Sequence, residues 1–321
     1  MQPTARLATL LPALALTGML GACATAPPPV QTPVAGELVD VPFFPQRRYQ
    51  CGPAALATVL VDAGVDTDPE RLVPQVWLPG RRGSLQAELR AATRRAGRIP
   101  WKLPGDLDAL EEAVGQGRPV LVLQNLGARW WPLWHYAVVI GLDDRRVVLR
   151  SGRQGRRVER REDFLQSWDR ADRWGIVVLD GRALPEDADR DRWLEAASLV
   201  ERAGHPTVAA RAYGAWLARH PADRGARFGL ASTAHASGRL GEAAAAYEEL
   251  LAADPADPAV LNNLALVRAD QGCRAMARTL LERALAAAGD PALRETLEAS
   301  RNELVVRAAG RACAVERADR P

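Results

Sequence analysis

Residues 41–56 read VPFFPQRRYQCGPAAL, an aromatic, proline-rich loop that becomes an apolar helix at Cys51. The next nine residues continue the apolar run, so the spacing predicts a helix from Cys51 to Val65. Pro53 is tolerated in its first turn, where a backbone N–H has no partner to lose. At a helix start, free N–H groups favour a thiolate over a thiol. An unassisted thiol is only a few per cent ionised near neutral pH, so a nucleophilic cysteine needs such a position. The alternative is a buried structural cysteine. Gln46 ahead of Cys51 and Gly52-Pro53 behind it favour the chemical reading.

Such a nucleophile takes its base from elsewhere in the chain. There are four histidines, of which His205, His220 and His235 fall in a helical repeat and read as surface residues. His135 opens the strand-like run HYAVVIGLD, where it can face a helix start across a cleft. On this reading a neighbouring imidazolium and the helix start together hold the Cys51 pKa well below its free value of about 8.5. Trp130, Trp131 and Trp134 lead into His135 and either line a groove for an apolar peptide or pack on the domain's own core.

Around these residues helices come first and strands second. Further helices are expected over 84–96 and 106–114, and strands over 119–124, 136–142, 146–150 and 175–179. That is an α+β layout. After Pro185 the chain turns alanine-rich and repeats every 34 residues: Gly204, Gly238 and Gly272; Ala209, Ala243 and Ala277; Tyr213, Tyr247 and Leu281; Pro221 and Pro255. Thirty-four residues is the tetratricopeptide period, two antiparallel helices per unit. Three units are expected over 190–291, with a capping helix over 291–309.

At the amino terminus, Arg6 precedes an uncharged apolar run from Leu7 to Leu20, too short to span a bilayer but suited to an export signal. The run ends LGAC, which resembles the bacterial lipobox and implies cleavage before Cys23 and its lipidation. Ala24 follows rather than aspartate, which by the same resemblance implies the outer membrane, facing the periplasm. The proline-rich residues behind Cys23 read as a tether.

With 42 basic and 39 acidic residues and no basic block, the chain offers no nucleic-acid surface. Its four cysteines are far apart and no CxxC or Cys/His cluster occurs, so neither a metal site nor a cofactor is expected. Cys273 and Cys313 could pair in an oxidising compartment and tie the tail to the repeats.

The segments QCGPAAL and HYAVVIGLD resemble the bacteriocin-processing, double-glycine type of papain-like cysteine peptidase, over about residues 38–182. The resemblance implies a papain-like fold and cleavage of a peptide bond through an acyl-thioester on Cys51, with His135 as base. It also implies a glutamine ahead of the cysteine that donates to the oxyanion. Gln46 matches it best, though one residue nearer the cysteine than the pattern, and Gln50 competes. The aspartate expected on the next strand is replaced by Ser151, which can orient a neutral imidazole but cannot balance an imidazolium. No GxxxxGK[ST] motif accompanies the domain, so a stand-alone version without the family's ATP-driven transporter is expected.

The chain thus divides into a signal (1–22), a tether (23–37), a papain-like domain (38–185), three tetratricopeptide repeats with a cap (186–309) and a tail (310–321). The function expected is that of an envelope-anchored peptidase acting on an envelope or secreted protein, with the repeats docking the substrate or a partner. Two alternatives use the same fold: a peptide-binding scaffold that does not cut, and an acyltransferase.

Overall fold

The helix that starts at Cys51, α1 (Cys51–Asp62), is buried from Gly52 to Leu60, so its apolar run has no polar face to show. It packs on a sheet in a computed structural model that describes residues 32–307 and Cys313. The signal segment, Cys23, the tether as far as residue 31 and nearly all of the tail lie outside the described residues. Beside α1 lie α2 (Pro69–Val76), capped by Asp68, and α3 (Gln86–Arg95). The remaining helices of this part are α4 (Leu107–Gly115), capped by Asp106, and α5 (Arg161–Asp169).

Six strands form one antiparallel sheet: β1 (Ile99–Lys102), β2 (Val120–Asn125), β3 (Trp134–Leu142), β4 (Arg146–Ser151), β5 (Gln154–Arg160) and β6 (Gly175–Leu179), in the order β1-β6-β2-β3-β4-β5. Both faces are covered. Leu121, Leu123, Tyr136, Val138 and Ile140 share a core with α1, α2 and α3, while Val120, Val122, Ala137, Val139 and Leu149 share another with α4 and α5. That double burial is why β2 reads as an unbroken apolar run.

Two elements sequence reading passed over are edge strands. β5 reads QGRRVER, too charged for a strand period but suited to an edge that must not pair further, and β1 carries Pro100. Residues 34–37, expected in the tether, belong to the domain instead. Val34 is buried, Glu37 pairs with Arg156 at 2.7 Å, and a Cβ on Gly141 would lie 2.8 Å from the Val34 side chain.

The helical array follows as three hairpins: α6 (Arg190–Arg202) with α7 (Pro206–Arg219), α8 (Arg224–Ala236) with α9 (Leu240–Ala253), and α10 (Pro258–Asp270) with α11 (Arg274–Ala287), closed by α12 (Pro291–Arg307). The repeating columns have physical roles. Gly204, Gly238 and Gly272 take φ of +92°, +75° and +85° at the turns inside the hairpins, which an L side chain resists. Ala209, Ala243 and Ala277 are buried where helices cross. Asp189, Asp223 and Asp257 cap α6, α8 and α10. Arg190 reaches Asp223 and Arg224 reaches Asp257, so each hairpin is clamped to the next by the same pair.

The boundary expected at 185/186 does not divide the molecule into separate bodies. From Val34 onward the described residues form one compact unit. Trp193, Val200, Val208, Ala212 and Tyr213 of the first hairpin share one core with Ile99, Trp101, Phe164 and Val177. Trp101 meets Trp193 edge-to-face at 5.6 Å and donates to Asp187 at 2.8 Å. His205 is not a free surface residue, since its Nε2 lies 2.8 Å from the Arg95 carbonyl. At the other end, Cys273 at the N-cap of α11 is disulfide-bonded to Cys313, with Cα atoms 4.3 Å apart.

Candidate active site

Cys51 is the first residue of α1 and the only free cysteine among the described residues. The turn before it needs Tyr49 at a φ of +64°, and its N-cap, Gln50, makes no side-chain cap bond. Gly52 is required here. A Cβ at this position would lie 2.3 Å from Ser84 Oγ and 2.5 Å from Ser84 Cβ, so only glycine lets the loop before α3 close over the helix start. Ser84 in turn accepts from the Tyr136 hydroxyl through its carbonyl, at 3.3 Å.

His135 is the second residue of β3, next to Tyr136, and its Nε2 lies 2.8 Å from Ser151 Oγ at the end of β4. Ser151 is buried. Asp143 lies at the opposite end of β3, where it accepts from the backbone of Arg145 and Arg146. No hydrogen bond joins Cys51 to His135. The sulfur is approached instead by the N–H groups of Tyr136, Gly52 and Cys51 itself. Cys51 Sγ therefore meets β3 at Tyr136, the residue after His135, and the ring nitrogen held by Ser151 is Nε2, which leaves Nδ1 unengaged.

The electrostatics differ from the expected thiolate. Burial pushes the Cys51 thiol up, and the three N–H groups only partly oppose it. Burial, and then the Arg157 charge, bring His135 down to about 4. At neutral pH the resting pair is therefore thiol and neutral imidazole. With no carboxylate on His135, only these N–H groups favour the charged form of the pair.

Gln46 and Gln50 sit differently about Cys51. Gln46 lines a small open cleft together with Cys51, Tyr136, Ser151 and Gly152, and its N–H donates to the Gly152 carbonyl at 2.9 Å. Gln50 is absent from that lining. The loop carrying Gln46 is fixed by Arg150, whose guanidinium donates to the carbonyls of Val39, Val41 and Gly155.

Three positioning residues escaped sequence reading: Arg150, Gln124 and Asn125. Gln124 is the cross-strand partner of His135, fully buried, and donates to Glu159 at 3.2 Å and Ser167 at 2.9 Å. Asn125 accepts from the N–H groups of Gly127 and Leu133 at 3.0 and 2.9 Å and so braces the loop ahead of His135. The available signal was two amides closing an apolar strand, VLVLQN. Among the described residues no group of three or more His, Cys, Asp or Glu could hold a metal ion, and no helix is long and apolar enough to cross a membrane.

Residues 194–258 match the tetratricopeptide repeat family. These are the hairpins from α6 to the start of α10, and the stack is that of a tetratricopeptide solenoid. No curated protein matches the chain. A candidate C39-like peptidase from Bacillus anthracis is similar in structure, at 20% identity, covering 44% of this chain and 96% of that one with a TM-score of 0.38. At that level the likeness carries nothing about activity, and the site stands on its own geometry.

Proposed function

We propose that the sheet domain is a cysteine peptidase that works from a neutral Cys51–His135 pair, with the repeats docking a protein substrate or partner. The observation that carries this reading is the convergence of a cysteine at a buried helix start with a histidine whose Nε2 is held by a buried serine. When Nε2–H donates to Ser151 Oγ, the Nδ1 lone pair is left to accept a proton. Cys51 Sγ then attacks the substrate carbonyl carbon as its proton passes to His135 Nδ1. The oxyanion is met by backbone N–H at the start of α1 and by the Gln46 side chain. Collapse expels the amine, which takes the proton back from His135, and water delivered through the same base hydrolyses the thioester.

Lipidation at Cys23 would hold this enzyme on the cell envelope, on the periplasmic side of the outer membrane. Comparing the amino termini of envelope proteins in cells carrying the native chain or Cys51→Ala tests the reading. New termini present only with the native chain are expected; identical profiles would sink it.

A second reading is favoured by one specific observation: no hydrogen bond joins Cys51 to His135, and a serine rather than a carboxylate holds the His135 Nε2. On that reading the domain grips peptides without cutting them. It predicts that His135→Ala leaves the alkylation rate of Cys51 unchanged, whereas the peptidase reading requires it to fall.

A further inference from the structure

Between β2 and β3 the chain displays Trp130, Trp131, Leu133 and Trp134 to solvent, Trp130 at 84% exposure and Trp131 at 73%. Monomeric proteins rarely leave such a patch uncovered without a use for it. The loop is built rather than slack. Leu126 N–H donates to the Leu133 carbonyl at 2.9 Å and Trp131 N–H to the Ala128 carbonyl at 3.1 Å. Buried Asn125 holds both arms, and Arg170 donates to the Asn125 carbonyl at 3.1 Å. A Cβ on Gly127 would lie 2.3 Å from the Trp131 carbonyl oxygen, so the tight fold depends on glycine there. Trp130 and Trp131 meet edge-to-face at 6.5 Å. A rigid display of aromatic rings lowers the ordering cost that a ligand must offset.

Charge says what kind of ligand. Arg129 lies in this loop, while Arg48 and Arg82 flank the Tyr49 ring two residues before Cys51. None of the three makes an ion pair among the described residues, whereas Arg47, Arg156, Arg157 and Arg161 do. Apolar rings and a guanidinium group without a carboxylate partner thus precede His135 along the chain, and two more such groups lie on Tyr49, two residues before Cys51.

We propose that this rim is a docking surface for an extended polypeptide segment that combines apolar side chains with carboxylates and is led by it towards Cys51. The proposal rests on the peptidase reading for the fate of the segment, but not for its binding. A lipid surface could use the same tryptophans. The peptide is favoured because Trp134 directly precedes His135 on β3. In addition, the chain from the amino terminus joins at Val34 against Gly141, roughly 23 Å along β3 from Trp134 at about 3.3 Å per residue.

The test uses the full chain carrying Cys51→Ala and a fluorescent twelve-residue peptide of alternating leucine and glutamate, followed by anisotropy. Saturable binding is expected, weakened at least tenfold by Trp130→Ala with Trp131→Ala, and rescued in large part by Trp130→Phe with Trp131→Phe. Replacing the glutamates by lysine should weaken it at least as much. Equal binding by the alanine variants at unchanged melting temperature overturns the proposal, and so does equal binding of the lysine peptide. Sedimentation with phosphatidylglycerol vesicles through the same tryptophans, uncompeted by the peptide, assigns the rim to lipid instead. If the peptide docks as expected but the native chain never cuts it, the docking stands and the peptidase reading falls. If it is cut equally well without the tryptophans, the reverse holds.

Discussion

Ser151 Oγ lies 2.8 Å from His135 Nε2, a neutral oxygen in the place from which a carboxylate could balance an imidazolium. The pair at rest follows from this contact. Burial holds His135 at about 4 and Cys51 above the ordinary thiol range, and Ser151 supplies no charge to reverse either.

Ser151→Asp should therefore raise the His135 pKa and lower that of Cys51, because an opposite charge within hydrogen-bond reach favours the imidazolium and, through it, the thiolate. Iodoacetamide alkylation of Cys51, followed against pH, should move to lower pH by a unit or more. An unshifted profile in a folded variant would show that the serine does not govern the pair.

The same burial has a cost in acid. His135 is held near 4 in the folded chain against about 6.5 in the unfolded chain, so the unfolded state takes up this proton first. Its contribution is absent above pH 6.5, and stability is lost as pH falls from there through 4, by about 3 kcal/mol for the whole shift. His135→Gln should remove that part of the slope, read as urea midpoints at pH 7 and pH 4.5. The same slope in both proteins would contradict it.

Gln46→Ala should slow turnover by roughly a hundred- to a thousand-fold, the usual cost of losing one oxyanion donor, while leaving Cys51 alkylation almost unchanged. Gln50→Ala should do neither, since Gln50 stays out of the cleft. The opposite pattern would transfer the role to Gln50.

Gly52→Ala should destabilise the fold by about 1–3 kcal/mol, the range for forcing an extra group into a packed site. Ser84→Gly should recover most of it by removing the atoms that the new methyl meets. A melting temperature unchanged by Gly52→Ala, or no recovery in the double variant, would refute the close approach.

Much of this was legible in the sequence. The 34-residue columns carry the array because each residue answers a local need: a left-handed turn at Gly238, a helix crossing at Ala243. Cys51 and His135 stood out because helix and strand starts are local features. The protonation state was not legible, since it depends on how deeply both side chains are buried by residues distant in sequence. Nor was the fusion of domain and array, because Trp101 and Trp193 are 92 positions apart and each reads as an ordinary core aromatic. That shared core also bears on experiments that remove the repeats. Truncation at residue 187 would uncover Trp101, Val177 and Leu179, so the expected behaviour is one cooperative melt in which helix loss and Cys51 exposure coincide. Two separated transitions would show the halves to be independent.

The clamp of Arg190 on Asp223 and Arg224 on Asp257 also governs how the array can grow. A duplicate of residues 224–257 inserted after Asp257 would offer an arginine to the next cap and an aspartate to the preceding clamp, so both of its junctions are already written in this chain. A hairpin appended after α11 has no such junction, since Pro258 stands where the next arginine would be and Cys313 closes that end onto Cys273. Lengthening by internal duplication is therefore open to this protein, whereas a hairpin placed after α11 would have to pack without this clamp.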